Sequence, residues 1–348
     1  MKALRHSRNI LVINLKYIGD TIWMYPLIKN LRYNIPDAKI SALVNEGTEA
    51  FLKLLPELHE VIGLRRKEMK SKAGYLKFAG FLRDIRKRSF DSVIILSNSD
   101  RPTLIALATG ASVRIGLESD SWWRAHLLTH KFQWDHERNP HMIEQHLQLL
   151  TDSGLHLYDT RLTITVPDAV VNTVKERFPV VQKQERKAVL IHPGSRTRFR
   201  QWGSGNFAAV INALADRYRI FLVGGPGEQG IIKEIIEELH RSPDLVTTDL
   251  NLLEFAALCT FSDLFIGNDT APIHIAAGVG VFVIGMYGPT FSRNCGPWTE
   301  KRALFDVSTL PCRPCRQEEC CGPSFRACIE EITPETVIKK AREVLSAS

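Results

Sequence analysis

Apolar residues in this chain gather into short unbroken runs, separated by segments of helical spacing. Ile10 to Leu15 is a near-continuous apolar run, as expected of a parallel strand covered on both faces. Gly19 and Asp20 punctuate the chain, and Thr21 to Leu31 then carries apolar residues at helical spacing. Lys39 to Val44, Ser92 to Leu96 and Val113 to Ile115 read as further strands, with helical patterns at Ala50 to Leu55 and Leu76 to Arg88. The alternation restarts after a polar, mixed stretch near Pro167 to Lys187. Its strands are Ala188 to His192, Arg219 to Val223, Asp263 to Ile266 and Val281 to Met286, with a helix at Phe207 to Tyr218. A last helix, Pro334 to Leu345, has Thr333 to cap it and Pro334 at its first position.

Strands alternating with helices imply βαβ units and parallel sheets. The pattern occurs twice, so the expected fold is α/β with two Rossmann-like domains facing across a cleft. The expected boundaries are residues 1–170, 185–333 and a C-terminal helix over 334–348, with the join near Pro167 to Gln184. A length of 348 residues suits two domains.

Composition adds little except through charge. Hydrophobic content of 44 % and charged content of 24 % are ordinary for a globular protein. No stretch approaches the ~20 apolar residues a spanning helix needs. The apolar run from Ile10 is broken at Lys16 and Asp20, and no small-residue cleavage site follows. No secretory signal is read, and a cytoplasmic location is expected. The net charge of +7 favours an acidic partner: phosphate, nucleic acid or an anionic membrane surface.

Ligands of open α/β sheets sit outside the carboxyl ends of the strands, and the informative residues follow strands. In the second half, His192-Pro193-Gly194-Ser195 is followed by Arg196, Arg198, Arg200 and Trp202. Clustered arginines suit bidentate phosphate contact. Gly224-Gly225-Pro226-Gly227-Glu228 offers close backbone approach and a carboxylate for ribose hydroxyls. Gly267-Asn268-Asp269-Thr270-Ala271-Pro272-Ile273-His274 ends a strand and opens a helix, which aims free amides and a positive dipole end at a ligand. Each has a plainer reading: His192 as a buried strand histidine, His274 as packing, Asp269 as a helix cap. What raises them above it is their combination in one domain, all at strand ends.

The stretch Gly267 to Gly278 resembles the signature of the ADP-heptose:lipopolysaccharide heptosyltransferases, glycosyltransferase family 9. The His-Pro-Gly-Ser run with its basic residues and Trp202, the later Met286-Tyr287-Gly288-Pro289-Thr290, and the early Ile18-Gly19-Asp20 match the same family in the same order. The cysteine-rich tail resembles the heptosyltransferase III-like branch.

The resemblance implies a glycosyltransferase-B fold with the donor on the second domain. It places Ser195 and Arg200 at the diphosphate, Glu228 near the ribose, and Leu250 and Leu252 at the adenine. Asp269, Thr270, Ala271 and His274 would hold the sugar and diphosphate. It makes Asp20 the general base for the acceptor hydroxyl, with Lys16, Arg65 and Arg66 on the acceptor side and inversion at the anomeric carbon. The plainer reading of Asp20 is a helix N-cap. Many family members carry lysine where Arg200 stands, which keeps the charge and changes its geometry. The implied partners are ADP-heptose, the lipopolysaccharide core and the inner face of the cytoplasmic membrane.

No Asp-x-Asp pair occurs, and no metal is expected in the chemistry. Arg65 to Arg88 is rich in Lys and Arg, with Tyr75, Phe78 and Phe81 interleaved. It suits a phosphorylated acceptor or acidic lipids, with Trp122, Trp123 and Arg124 extending that surface, or else a solvated helix face with its aromatics in the core. Nucleic-acid binding would give the same charge pattern, but no known motif for it is present. Cys259 and Cys295 stand alone, whereas Cys312, Cys315, Cys320, Cys321 and Cys328 crowd together. Cys312, Cys315, Cys320 and Cys328 offer four thiolates to a structural zinc; reduced loop thiols are the equal alternative. Two rival functions keep the fold: a nucleotide-sugar epimerase, and a non-catalytic nucleotide-sugar-binding protein.

Overall fold

The structure is a computed structural model that describes residues 4–65, 72–118, 121–133, 140–183, 185–307, 309–315 and 317–347. The chain divides into two compact units, Met1–Leu162 and Thr163–Ser348. The first contains strands β1 (Asn9–Asn14), β2 (Lys39–Asn45), β3 (Glu60–Leu64), β4 (Ser92–Ile95), β5 (Val113–Leu117) and β6 (His130–Phe132). Its helices are α1 (Ile18–Ile22), α2 (Tyr25–Asn34), α3 (Lys72–Lys87), α4 (Asp100–Thr109), α5 (Trp122–Leu127) and α6 (Met142–Asp152). The strands form one parallel sheet in the order β3-β2-β1-β4-β5-β6.

The second unit repeats the plan. Its strands are β7 (Ala188–His192), β8 (Arg219–Val223), β9 (Leu245–Thr247), β10 (Leu264–Asn268), β11 (Phe282–Tyr287) and β12 (Arg302–Asp306). Its helices are α7 (Asp168–Arg177), α8 (Ser204–Leu214), α9 (Gln229–Glu237), α10 (Leu252–Cys259), α11 (Ala271–Val279), α12 (Ser292–Cys295), α13 (Ala327–Glu330) and α14 (Pro334–Ala347). This sheet is also parallel, ordered β12-β11-β10-β7-β8-β9. In each sheet the winding reverses between the first and fourth strands, and the crevice at such a switch point is where open α/β sheets take ligands.

Helices cover both faces of parallel sheets, so the central strands are apolar along their length. Every residue of β7 and β8 is buried. The largest described core cluster joins these strands to Trp202, Phe207 and the α14 residues Val337, Ala341 and Leu345.

Several expected elements change. Thr21 to Leu31 is two helices, because Pro26 restarts the chain in the first turn of α2. Ala50 to Leu55 holds a single 3₁₀ turn, Leu52–Leu54; Pro56 follows Leu55 and holds it extended. The stretch read as a join, Pro167 to Gln184, lies inside the second unit, where α7 packs on α10. The first unit thus ends at Leu162 and not at 170. Helix α14 is likewise part of the second unit's core, not an appendage. The unexpected strands are β3, β6, β9 and β12, which are the four sheet edges.

Candidate functional site

In the second unit, β7 and β10 are neighbours at the switch point, so the loops that follow them meet. Asn268, the last residue of β10, is wholly buried and ties them together. Its Nδ2 donates to the Pro193 carbonyl at 2.7 Å, and its Oδ1 accepts from the Trp202 backbone N–H at 3.2 Å. Ser195 is buried in the same turn, donating to the Thr197 carbonyl, while its own carbonyl accepts from Gln201.

Arg200 then reaches Asp269. Its Nη1 lies 3.0 Å from Oδ2 of Asp269 and its Nε donates to Oε1 of Gln317 at 2.9 Å. Oδ2 of Asp269 also accepts from the Thr290 hydroxyl at 2.5 Å. The carboxylate is almost wholly buried. Thr270, not Asp269, is the N-cap of α11, so the cap reading of Asp269 does not hold. Ala271 opens the helix and Pro272, which has no N–H, stands in its first turn; the Ile273 N–H bonds the Thr270 carbonyl at 3.3 Å, so the Ala271 amide is the one that lies next to this ion pair. Tyr287, buried behind, has its phenol pushed well up, first by burial and then by Asp269.

Glu228 forms a second group with the β7 loop. Its carboxylate lies 3.3 Å from Nε2 of His192 and accepts from the Gly225 N–H at 2.6 Å. A Cβ on Gly194 would fall 2.0 Å from that carboxylate, so glycine is what admits it. Burial holds the His192 imidazole below its usual pKa, with Glu228 opposing. His192 is indeed a buried strand histidine, but one paired with a site carboxylate. His274 is buried inside α11. Leu250 and Leu252 are half-buried at the start of α10, which Asn251 and Glu254 cap reciprocally.

In the first unit, Asp20 stands at the third position of α1, not at its N-cap. Its Oδ2 accepts from the Tyr17 N–H at 3.3 Å, and Lys16 Nζ lies 3.8 Å from Oδ1. The Lys16 carbonyl is held by Asn45, so residues from the ends of β1 and β2 converge here. Arg65, at the end of β3, pairs with Glu46 at 2.9 Å. Arg66 lies outside the described residues.

The cysteine-rich segment enters the site by residues the sequence did not single out. Besides Gln317, the buried Arg313 bonds the Thr290 carbonyl and pairs with Asp306 at 2.9 Å. Burial pushes Asp306 up, but its bonds to Arg313 and Ser292 more than offset this and leave it below the usual carboxylate range. All seven cysteines are free. Burial pushes the Cys259 thiol far up, which makes it inert. Among the described residues no group of three or more His, Cys, Asp or Glu is arranged to hold a metal. Cys312, Cys315, Cys320 and Cys328, read either as a structural zinc site or as reduced loop thiols, lie near one another: burial raises the Cys328 thiol, Cys312, Cys320 and Cys315 add to the rise, and Arg313 opposes it.

With this geometry in hand, comparison with known proteins is decisive for the family. The sequence profile of glycosyltransferase family 9 (heptosyltransferase) matches residues 79–325, well over half of the chain. The chain belongs to glycosyltransferase family 9. Lipopolysaccharide heptosyltransferase 3 of Escherichia coli is 26% identical to it over 310 residues, covering 86% of this chain and 90% of that protein. Among solved structures, a glycosyl transferase family 9 protein from Veillonella parvula DSM 2008 superposes with a TM-score of 0.83. It is 21% identical and covers 98% of both chains. E. coli ADP-heptose lipopolysaccharide heptosyltransferase II gives a TM-score of 0.79 at 20% identity, covering 97% of this chain and 99% of that one. The fold is the glycosyltransferase-B fold of those structures, built on two six-stranded parallel sheets among the described residues. The part matched to the family 9 profile contains Ser195, Arg200, Asp269, Thr290, Arg313 and Gln317, whereas Lys16, Asp20 and Arg65 precede it.

Proposed function

We propose that this family 9 glycosyltransferase transfers heptose from ADP-heptose to the inner core of lipopolysaccharide, with inversion at the anomeric carbon. The observation that carries the reading is the buried Asp269 held by the half-buried Arg200 and Thr290 beside the start of α11. It sets a guanidinium and the Ala271 amide at a helix start where a departing diphosphate gains most from them.

In this reading the second unit is the donor domain and the first the acceptor domain. Arg200, Ser195 and the Ala271 amide take the diphosphate, Asp269 and Thr270 take sugar hydroxyls, and Glu228 takes the ribose. Leu250 and Leu252 face the adenine, and His274 supports α11 from within. Asp20 removes the proton from the acceptor hydroxyl as that oxygen bonds the anomeric carbon and the ADP oxygen leaves with the bonding pair. Lys16 and Arg65 serve the anionic acceptor. The negative charge that develops on ADP is met by Arg200 and the Ala271 amide, so the step draws on no cofactor. The enzyme works at the cytoplasmic face of the inner membrane, where the lipid-linked acceptor is presented.

The test is turnover of purified protein with ADP-heptose and a deep-truncated core lipopolysaccharide, with UDP- and GDP-sugars alongside. ADP release that requires both substrates, with an inverted product linkage by NMR, is the expected result. Turnover of another nucleotide sugar alone would remove heptose from the proposal; interconversion of a nucleotide sugar without acceptor would make the protein an epimerase.

A further inference from the structure

The positive charge of this protein is concentrated in one place. Residues 65–88 contain ten basic and two acidic side chains, a net +8 against +7 for the whole chain. The remaining residues are thus close to neutral. The described part of this segment is mostly α3, which sits on the outer layer of the first unit.

Helix α3 packs inward through Phe78, Phe81, Leu82 and Ile85. Leu76, 77% exposed, and the exposed Arg83 lie on its other side, flanked by Tyr75, 69% exposed at the helix start, and by the exposed Lys77. Helix α4 packs against α3. It buries Ile105 and Ala106 and exposes Leu104 and Leu107. Helix α5 packs on α4 in turn, and Trp122 at its start is 75% exposed. Arg124 pairs with Asp100 at the start of α4, while Arg86 lies against Gly110 at the end of α4. Helices α3 and α4 therefore run side by side in the same direction, with Tyr75, Leu76 and Trp122 towards their common starting edge. Five of the twelve large exposed apolar side chains among the described residues lie on these three consecutive helices.

Solitary exposed apolar residues need no explanation, but a set on adjacent elements does. A soluble phosphate would need the cations and not the tryptophan or leucines. An apolar protein groove would need no such charge. Cationic side chains interleaved with Trp, Tyr and Leu suit the headgroup region of an acidic bilayer, where rings and methyls enter the acyl boundary and Lys and Arg meet phosphates. Among the described residues no helix is long and apolar enough to cross a membrane, so contact of this kind lies along the surface.

We infer that the outer face of α3, α4 and α5 is a docking surface for an anionic phospholipid bilayer, formed by Tyr75, Leu76, Leu104, Leu107 and Trp122 with Lys77 and Arg83. The inference rests on the proposed lipid-linked acceptor and names the surface that brings the enzyme to it.

The experiment is co-sedimentation of the full chain with vesicles of phosphatidylglycerol and phosphatidylethanolamine, and with phosphatidylcholine vesicles, at low and high salt. Binding is expected to the anionic vesicles only and to weaken with salt. Lys77→Ser with Arg83→Ser should lower partitioning roughly 30-fold, about fivefold per charge. Leu76→Ser with Trp122→Ser should weaken it at unchanged charge. Heptosyl transfer to a deacylated, soluble acceptor should be the same in all variants. Equal binding to neutral vesicles, unimpaired binding of both variants, or tighter binding to a short DNA duplex than to vesicles would overturn the inference. So would loss of transfer to the soluble acceptor in the variants, which would assign the surface to the acceptor itself. Soluble-acceptor transfer without vesicle binding sinks the surface and leaves the function; vesicle binding without any heptosyl transfer does the reverse.

Discussion

Arg200 and Asp269 form a 3.0 Å ion pair that bridges the loops after the two strands at the switch point of the second unit. Gln317 holds the other edge of the guanidinium and Thr290 the same carboxylate oxygen. The cation that would meet a diphosphate is thus already oriented, which is worth more in a partly dry site than a mobile charge.

Arg200→Ala should lower kcat/KM by about 10²- to 10³-fold, the usual loss on removing one stabiliser of a leaving oxyanion. Arg200→Lys restores charge but cannot reach Gln317 and Asp269 in the same fork, and should recover only part of this loss. Gln317→Ala should raise KM for the donor severalfold with kcat little changed. Steady-state kinetics on the three variants checks the order; a Gln317→Ala enzyme with wild-type KM would mean that the cysteine-rich segment does not position the arginine.

Asp20→Asn keeps the size of the side chain and its acceptor oxygen for the Tyr17 N–H. Transfer should fall by about 10²- to 10⁴-fold, the range for loss of a general base. The dissociation constant for ADP-heptose, measured by calorimetry, should not move. Wild-type turnover would remove Asp20 from the base role.

His146 of α6 is buried; its Nδ1 lies 3.3 Å from the Trp23 carbonyl and its Nε2 has no hydrogen-bond partner among the described residues. Burial, with Lys16 and His141 adding repulsion, lowers its pKa from 6.5 to about 4. Below pH 6.5 the unfolded chain takes up a proton that the folded chain refuses. Stability therefore falls with decreasing pH across that window, by about 3 kcal/mol in total at 1.36 kcal/mol per unit. His146→Gln should flatten the dependence of unfolding free energy between pH 6.5 and 4. Denaturant titrations at several pH values in this window test it; parallel curves for the two proteins would assign the acid sensitivity elsewhere.

Trp202 lies in the arginine-bearing loop, yet it is wholly buried, with Nε1 donating to the Ile332 carbonyl at 2.7 Å. Its ring meets Phe207 edge-on at 5.2 Å. Trp202→Phe strands that carbonyl and opens a cavity, at a cost of about 2–4 kcal/mol. A lowered melting temperature with unchanged KM for the donor is expected by calorimetry and kinetics; an unchanged melting temperature with raised KM would make Trp202 a ligand contact.

The apolar runs determined the two parallel-sheet units by themselves, because a strand covered on both faces is apolar along most of its length, and β1, β2, β7, β8, β10 and β11 carry polar residues mainly at their ends. The edge strands β3, β6, β9 and β12 lack that covering on one side, so runs such as His130–Phe132 carry no comparable signal. The sequence also marked Arg200, Asp269 and Glu228, since each follows a strand in a glycine-containing turn. Only the tertiary structure decided their partners. Gln317 and Arg313 stand in a polar, cysteine-rich segment 117 and 113 residues from Arg200, and no local pattern records a hydrogen bond across that distance. It likewise decided that Asp269 is not a cap, that α7 and α14 complete the second unit, and that Tyr75, Leu76 and Trp122 lie on neighbouring helices. Strand periodicity is local and readable along the chain; which side chains meet is set by the order of strands in a sheet, which is not.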